Sequence, residues 1–220
     1  MSAEQPPAVR SERVGVIGGT FDPIHAGHLI LAEETRLALS LSRVIFVPAG
    51  HPWRKANRDI TPAADRMAMV SLAVASNSTF DVSSIEVVRE GPTYTADTLQ
   101  EVRAQLHADT DLWFILGSDA LLDLEHWHDP GRIVALARLA VAVRDSATAG
   151  SGALRLGGLE DLVSGVRDRI DVVAMPRVGI SSSEIRRRLR QGISCRYWLP
   201  AKVERYAVER NLYGRPRQCP

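Results

Sequence analysis

Short apolar runs and helical patterns take turns along this chain, and that alternation constrains its fold more than any other feature. Val14, Val16 and Ile17 read as a buried strand, and so do residues 43–48, 80–88, 111–116, 138–143 and 170–176. Between them apolar residues recur at helical spacing. Leu29, Leu31, Ala32, Leu37 and Leu39 follow the first strand, and Met67, Val70, Leu72 and Val74 follow the second. Strands that alternate with helices pair in parallel, with the helices as crossovers on both faces. The expectation is an α/β, doubly wound, mostly parallel sheet with a small helical C-terminal part. Right-handed crossovers bring the loops that follow the strands to one edge, where such sheets hold ligands.

Composition narrows the class. A chain of 220 residues with 45% hydrophobic and 24% charged residues suits one sizeable core. Residues 1–12 are polar and proline-containing and read as a disordered lead-in, leaving a single domain over 13–214. A Gly/Ser/Ala-rich insertion around 145–158 reads as mobile. A net charge of +1 gives no electrostatic case for nucleic acid or a membrane surface. No apolar run approaches the ~20 residues of a membrane helix, and Cys195 and Cys219 are too few for a disulfide framework. The reading is a soluble, cytoplasmic protein, with a homo-oligomer left open.

The first strand runs into Gly18-Gly19-Thr20-Phe21-Asp22-Pro23-Ile24-His25-Ala26-Gly27-His28. The glycines let backbone N–H groups approach a ligand, and the following helix turns its positive end and unpaired amides back on the turn. His25 and His28 share a face if the helix already begins there. Four more stretches can reach the same edge. Residues 48–55 carry Arg54 and Lys55, with Arg58 beyond, as phosphate hands or a plain solvated loop. Residues 91–95 open a helix that Thr93 or Thr95 can cap, or that points at a second anion. Gly117-Ser118-Asp119 is another strand-to-helix turn, and Trp127-His128 completes the set. His126, His128 and Asp129 could make a metal site, but no second ligand cluster supports one. In the second helix Arg66 reads as a surface residue. In the C-terminal part Ser181–Ser183 and Glu184 make good capping chemistry, and Arg186, Arg187 and Arg188 exceed what capping requires.

The chain contains no G-x-x-x-x-G-K-[ST], no G-x-G-x-x-G, no H-E-x-x-H and no G-x-S-x-G. What remains is phosphate-directed chemistry without an obvious nucleophile. That suits phosphoryl or nucleotidyl transfer, where charge neutralisation and in-line positioning carry most of the catalysis.

Residues 18–28 resemble the (H/T)-x-G-H signature of the nucleotidylyltransferase superfamily, and more closely the G-G-T-F-D-P-I-H-x-G-H form of bacterial nicotinate-nucleotide adenylyltransferases. Gly91-Pro92-Thr93-Tyr94-Thr95-Ala96-Asp97-Thr98-Leu99 resembles that family's S-Y-T-x-D-T-L, and 116–127 its G-x-D-x-L…W. Ile180-Ser181-Ser182-Ser183-Glu184-Ile185-Arg186 resembles its I-S-S-T-x-I-R, and 197–213 its Y-L-x-P…L-Y. The likeness spans 13–214 in the right order. It implies a Rossmann-like nucleotidylyltransferase fold and the reaction of ATP with nicotinate mononucleotide, giving deamido-NAD and pyrophosphate in NAD biosynthesis, with Mg²⁺ carried by ATP.

The resemblance also implies roles. Gly18, Gly19, Thr20, His25 and His28 would hold the ATP phosphates, His28 supporting the transition state. Ser182 and Arg186 would bind ATP from the far side, and Gly117 and Asp119 its adenosine part or the metal's surroundings. Thr93, Tyr94 and Trp127 would receive the nicotinate ring, with amides near Thr93 and His128 taking its carboxylate and Lys55 meeting phosphate. The chain departs from the family pattern at Gly50-His51-Pro52-Trp53, at Ser183 in place of threonine, and at Val143-Arg144-Asp145 in place of Arg-Pro-Gly. Rival readings are a nucleotidylyltransferase acting on nicotinamide mononucleotide or phosphopantetheine, and a nucleotide sensor that has lost catalysis.

Overall fold

The computed structural model describes residues 11–51, 59–143 and 154–214. Six parallel strands form one sheet in the order β3-β2-β1-β4-β5-β6. They are β1 Arg13–Gly19, β2 Arg43–Pro48, β3 Phe80–Val82, β4 Asp111–Gly117, β5 Arg138–Val143 and β6 Ile170–Ala174. The crossover helices are α1 Ala26–Ala38, α2 Ala63–Val74, α3 Thr95–Gln105, α4 Ser118–Asp123, α5 Pro130–Leu136 and α6 Leu159–Leu162. Helices α7 Ser182–Arg190 and α8 Ala201–Glu209 close the described chain. The doubly wound reading therefore holds, every strand pair being parallel.

The central strands are apolar throughout because both faces are covered. Val14, Val16, Phe114 and Leu116 enter one core with α3 and α5. Ile17, Phe46, Trp113 and Ile115 enter the other, with α2 and the C-terminal helices. The chain winds one way from β1 through β2 to β3, then returns to place β4 on β1's other side. The β1–β4 boundary is thus the topological switch point, where a crevice opens beyond the strand ends.

Several expectations change. The third strand stops at Val82 rather than 88. Ser83 Oγ accepts from the Ile85 amide at 3.3 Å and the Val87 and Val88 amides fold back on the Ser84 carbonyl, a local turn that outcompetes the ladder. Ser11 and Glu12 are held, not loose. The Glu12 carboxylate meets Arg43 at 2.9 Å, and the Asp111 amide donates to the Glu12 carbonyl at 2.8 Å. Residues 1–10 and 144–153 lie outside the described residues, but the end of the expected mobile insertion is packed. Leu154 and Leu156 are buried in the first core, and the Gly158 amide donates to the Glu125 carboxylate at 2.6 Å.

Helix ends follow local chemistry. Ser181 caps α7 by accepting from the Glu184 amide at 3.2 Å. Gly192 closes it at φ 69°, its amide bonding the Leu189 carbonyl and the Ile193 amide the Arg188 carbonyl. Pro62 occupies the cap position of α2.

Candidate active site

Residues 18–28 leave β1 at the switch point. After Gly19 the chain turns through Phe21, at φ 48°, before α1 begins at Ala26 with His25 as its cap residue. His25 and His28 therefore lie one helical turn apart and their rings stack, with centroids 3.8 Å apart and planes at 27°. The His25 amide donates to His28 Nδ1 at 3.3 Å. His25 itself is 7% exposed, its Nδ1 has no hydrogen-bond partner among the described residues, and burial holds its pKa down at about 4. It stays neutral at pH 7. The Phe21 ring meets His28 edge-on at 5.0 Å. The α1 amides are not all unpaired, because Ala26 donates to the Trp198 carbonyl at 2.9 Å.

A cleft of about 170 Å³ opens on this turn, lined by Thr20, Phe21, Asp22, His28, Asp59, Ile60, Ser182, Ser183 and Arg186. That is smaller than the ~300 Å³ at which whole-ligand pockets begin, and matches a phosphate tail better than a complete nucleotide. Helix α7 is docked on the turn by its own polar residues. Ser182 Oγ donates to the Pro23 carbonyl at 3.0 Å, and Arg186 Nη1 to the Asp22 carbonyl at 2.7 Å. The Asp22 carboxylate accepts from the Tyr213 hydroxyl at 2.7 Å and from the Thr61 amide at 3.4 Å. Burial and the Asp22 carboxylate push the Tyr213 phenol far above its ordinary range, so it donates and does not ionise.

Gly117 is the cap residue of α4 across the switch point, with Asp119 in that helix's first turn. Neither lines the cleft; nor do Gly18, Gly19 and His25. Lys55 lies outside the described residues, as do Trp53, Arg54, Arg58 and Arg144.

The expected acceptor residues gather elsewhere on the same edge. Tyr94 caps α3 and its ring lies 4.3 Å from that of His128. Trp127 packs edge-on against Phe114, its Nε1 donating to the Asp123 carboxylate at 3.2 Å. Thr93 is buried and does not cap the helix; its amide and hydroxyl both donate to the His51 carbonyl, at 3.2 and 3.4 Å. The His126, His128 and Asp129 trio is engaged otherwise. Asp129 caps α5 through the Arg132 amide, and His126 faces Glu125 at 3.8 Å.

The largest correction concerns Arg66, which is 1% exposed rather than on the surface. Its guanidinium donates to three carbonyls, those of Thr61 at 2.8 Å, Thr20 at 2.8 Å and Gly50 at 3.0 Å. Phe21, Asp22, Asp59 and Ile60 are further cleft residues to which the sequence assigns no role, and Ser183 reads from sequence only as capping chemistry. Phe21, Asp22 and Ser183 lie inside quoted motifs, whereas Asp59, Ile60 and Arg66 carry no such signal.

With this geometry in hand, the comparisons are consistent. The cytidylyltransferase-like family matches residues 16–188. A protein of Thermomicrobium roseum named "Probable nicotinate-nucleotide adenylyltransferase" is 45% identical over 91% of this chain and 91% of its own length. One of Dehalococcoides mccartyi with the same name is 43% identical over 93% of this chain and 98% of its own. Among solved structures, the Plasmodium falciparum nicotinic acid mononucleotide adenylyltransferase complexed with NaAD superposes with a TM-score of 0.71 at 18% identity, covering 92% of this chain and 97% of that one. At that identity the likeness speaks for the fold. The stacked histidines of the turn after β1, the cleft that opens beside it and relatives of nearly full-length coverage lead to one statement: this chain belongs to the nicotinate-nucleotide adenylyltransferases, within the cytidylyltransferase-like nucleotidylyltransferases.

Proposed function

We infer that the protein transfers the adenylyl group of ATP to nicotinate mononucleotide, forming deamido-NAD and pyrophosphate. The acceptor's phosphate oxygen bonds to the α-phosphorus while the bond to the β-phosphate oxygen breaks, and pyrophosphate leaves. The observation that carries this reading is the convergence of Thr20, His28, Ser182 and Arg186 on one cleft at the turn that follows β1.

Two polyanions must be brought together, so cationic and N–H donors matter more than a nucleophile. His28 accepts the His25 amide on Nδ1, so its neutral ring carries the proton on Nε2 and donates there to a phosphoryl oxygen. The Gly18, Gly19 and Thr20 backbone and the His25 ring shape the turn beneath the phosphates, and Ser182 and Arg186 close the cleft from α7. Gly117 and Asp119 face the adenosine side. Tyr94, Trp127, His128 and Thr93 form the acceptor's seat, with Lys55 directed at phosphate. Mg²⁺ enters chelated by the ATP phosphates, as part of that substrate. The described residues suit an ion that keeps phosphate and water ligands, since none of their His, Cys, Asp and Glu side chains group in threes around a common point. No helix among the described residues is long and apolar enough to cross a membrane.

The test is a substrate panel. Protein with ATP and Mg²⁺ is offered nicotinate mononucleotide, nicotinamide mononucleotide and phosphopantetheine, and pyrophosphate release is followed. The expected result is the highest kcat/KM with nicotinate mononucleotide. Turnover confined to another acceptor overturns the reading, and tight ATP binding with no turnover at all points to the sensor.

A further inference from the structure

Strands β1 and β2 part company just beyond their last rung. The ladder between them ends with the Ala49 amide donating to the Gly19 carbonyl at 2.8 Å. From there Thr20 turns toward the cleft, while Gly50 and His51 turn toward Thr93. The two chains remain joined by one side chain, because Arg66 Nη1 bonds the Thr20 carbonyl and Nη2 the Gly50 carbonyl. Its Nε bonds the Thr61 carbonyl, fixing the guanidinium to the approach of its own helix, α2. The linkage continues on the acceptor side. The His51 carbonyl receives both donors of Thr93, and Gly50 lies against Glu86 so closely that a Cβ there would come within 1.9 Å of the Glu86 carbonyl oxygen.

A buried guanidinium is a costly way to fill space; Met or Leu would do so without desolvating a charge. Among the described residues Arg66 makes no ion pair. What only an arginine supplies here is a planar fork whose donors point in fixed directions. We propose that Arg66 is a positioning residue that sets the spacing between the ATP turn and the acceptor seat. This rests on the two-substrate reading above. Direct transfer needs the acceptor oxygen near ~3–3.5 Å from the α-phosphorus, and a displacement of about 1 Å costs on the order of 10²-fold in rate.

The experiment uses the full chain carrying Arg66→Lys, and separately Arg66→Gln, with the folded fraction measured by circular dichroism and rates expressed per folded molecule. Wild-type turnover of ATP and nicotinate mononucleotide tests the underlying reading on its own. For the variants kcat should fall by ~10²-fold, with dissociation constants for ATP alone and nicotinate mononucleotide alone nearly unchanged. The dinucleotide product spans both halves of the site, so KM for deamido-NAD in the reverse reaction with pyrophosphate should rise by ~10-fold. A merely structural role would lower the melting temperature and move none of these quantities. Unchanged kcat per folded molecule overturns the proposal. So does parallel weakening of both single substrates, and so does failure of both variants to fold, since Arg66 would then serve stability rather than alignment.

Discussion

The backbone amide of His25 donates to Nδ1 of His28 across 3.3 Å, so the residue that opens α1 sets the tautomer of the residue one turn later. Two functions of the same ring are thereby separated. Nδ1 serves the helix, and Nε2 is the nitrogen proposed above to donate to the substrate.

That division predicts an ordering among His28 variants. His28→Ala loses both functions and should lower kcat by ~10²–10³-fold, with about 1 kcal/mol of stability lost with the amide's acceptor. His28→Asn keeps an acceptor where Nδ1 stood, and should be as stable as wild type yet as inactive as alanine. His28→Gln places a donor near Nε2 and should retain more activity than Asn. Steady-state kinetics and thermal melts check this; an Asn variant more active than Gln would refute the tautomer account.

His25 makes stability depend on acidity. Its pKa in the folded protein is about 4, against 6.5 for the free side chain, because burial disfavours the imidazolium. Between those values the unfolded chain binds the extra proton, so stability rises with pH across that window and is lost as pH falls from 6.5 towards 4. The full loss is on the order of 3 kcal/mol. His25→Asn should flatten the melting temperature across pH 4–6.5 relative to wild type. An equal slope in both proteins would assign the effect to other groups.

Gly50→Ala tests close packing beneath the acceptor seat. The added methyl collides with the Glu86 carbonyl oxygen and lies 3.2 Å from Thr93 Cγ2, and a backbone atom cannot rotate away. A loss of at least ~1–3 kcal/mol is expected in urea unfolding. A neutral result would mean the 50–51 segment moves freely and holds Thr93 loosely.

Tyr213→Phe deletes the hydroxyl that donates to Asp22 and leaves a buried carboxylate oxygen short of a partner. Destabilisation of ~1–3 kcal/mol follows. Because Asp22 sits in the turn and its carbonyl receives Arg186, the ATP KM should rise while the KM for nicotinate mononucleotide stays near wild type. Loss confined to the acceptor KM would contradict this arrangement.

The sequence by itself determined what depends on near neighbours. Alternating apolar strands and helical spacings were enough for the parallel sheet. The glycines and histidines of 18–28 marked the turn from β1 into α1, and Ser181 and Gly192 marked the ends of α7. These rest on local sterics and on hydrogen bonds a few residues long. Tertiary structure decided the rest, where partners are distant. Arg66 looks like surface within its helix, and its burial becomes tolerable when the Thr20 carbonyl 46 residues away and the Gly50 carbonyl 16 away join the nearby Thr61 carbonyl, with the Asp22 and Glu86 carboxylates favouring its charge. Asp22 reads as a turn residue until Tyr213 arrives from 191 residues further on. Leu154 and Leu156 follow a Gly/Ser-rich stretch and lie buried in the first core. Burial of a polar group depends on whether its partners arrive, and periodicity along one strand or helix does not contain that information.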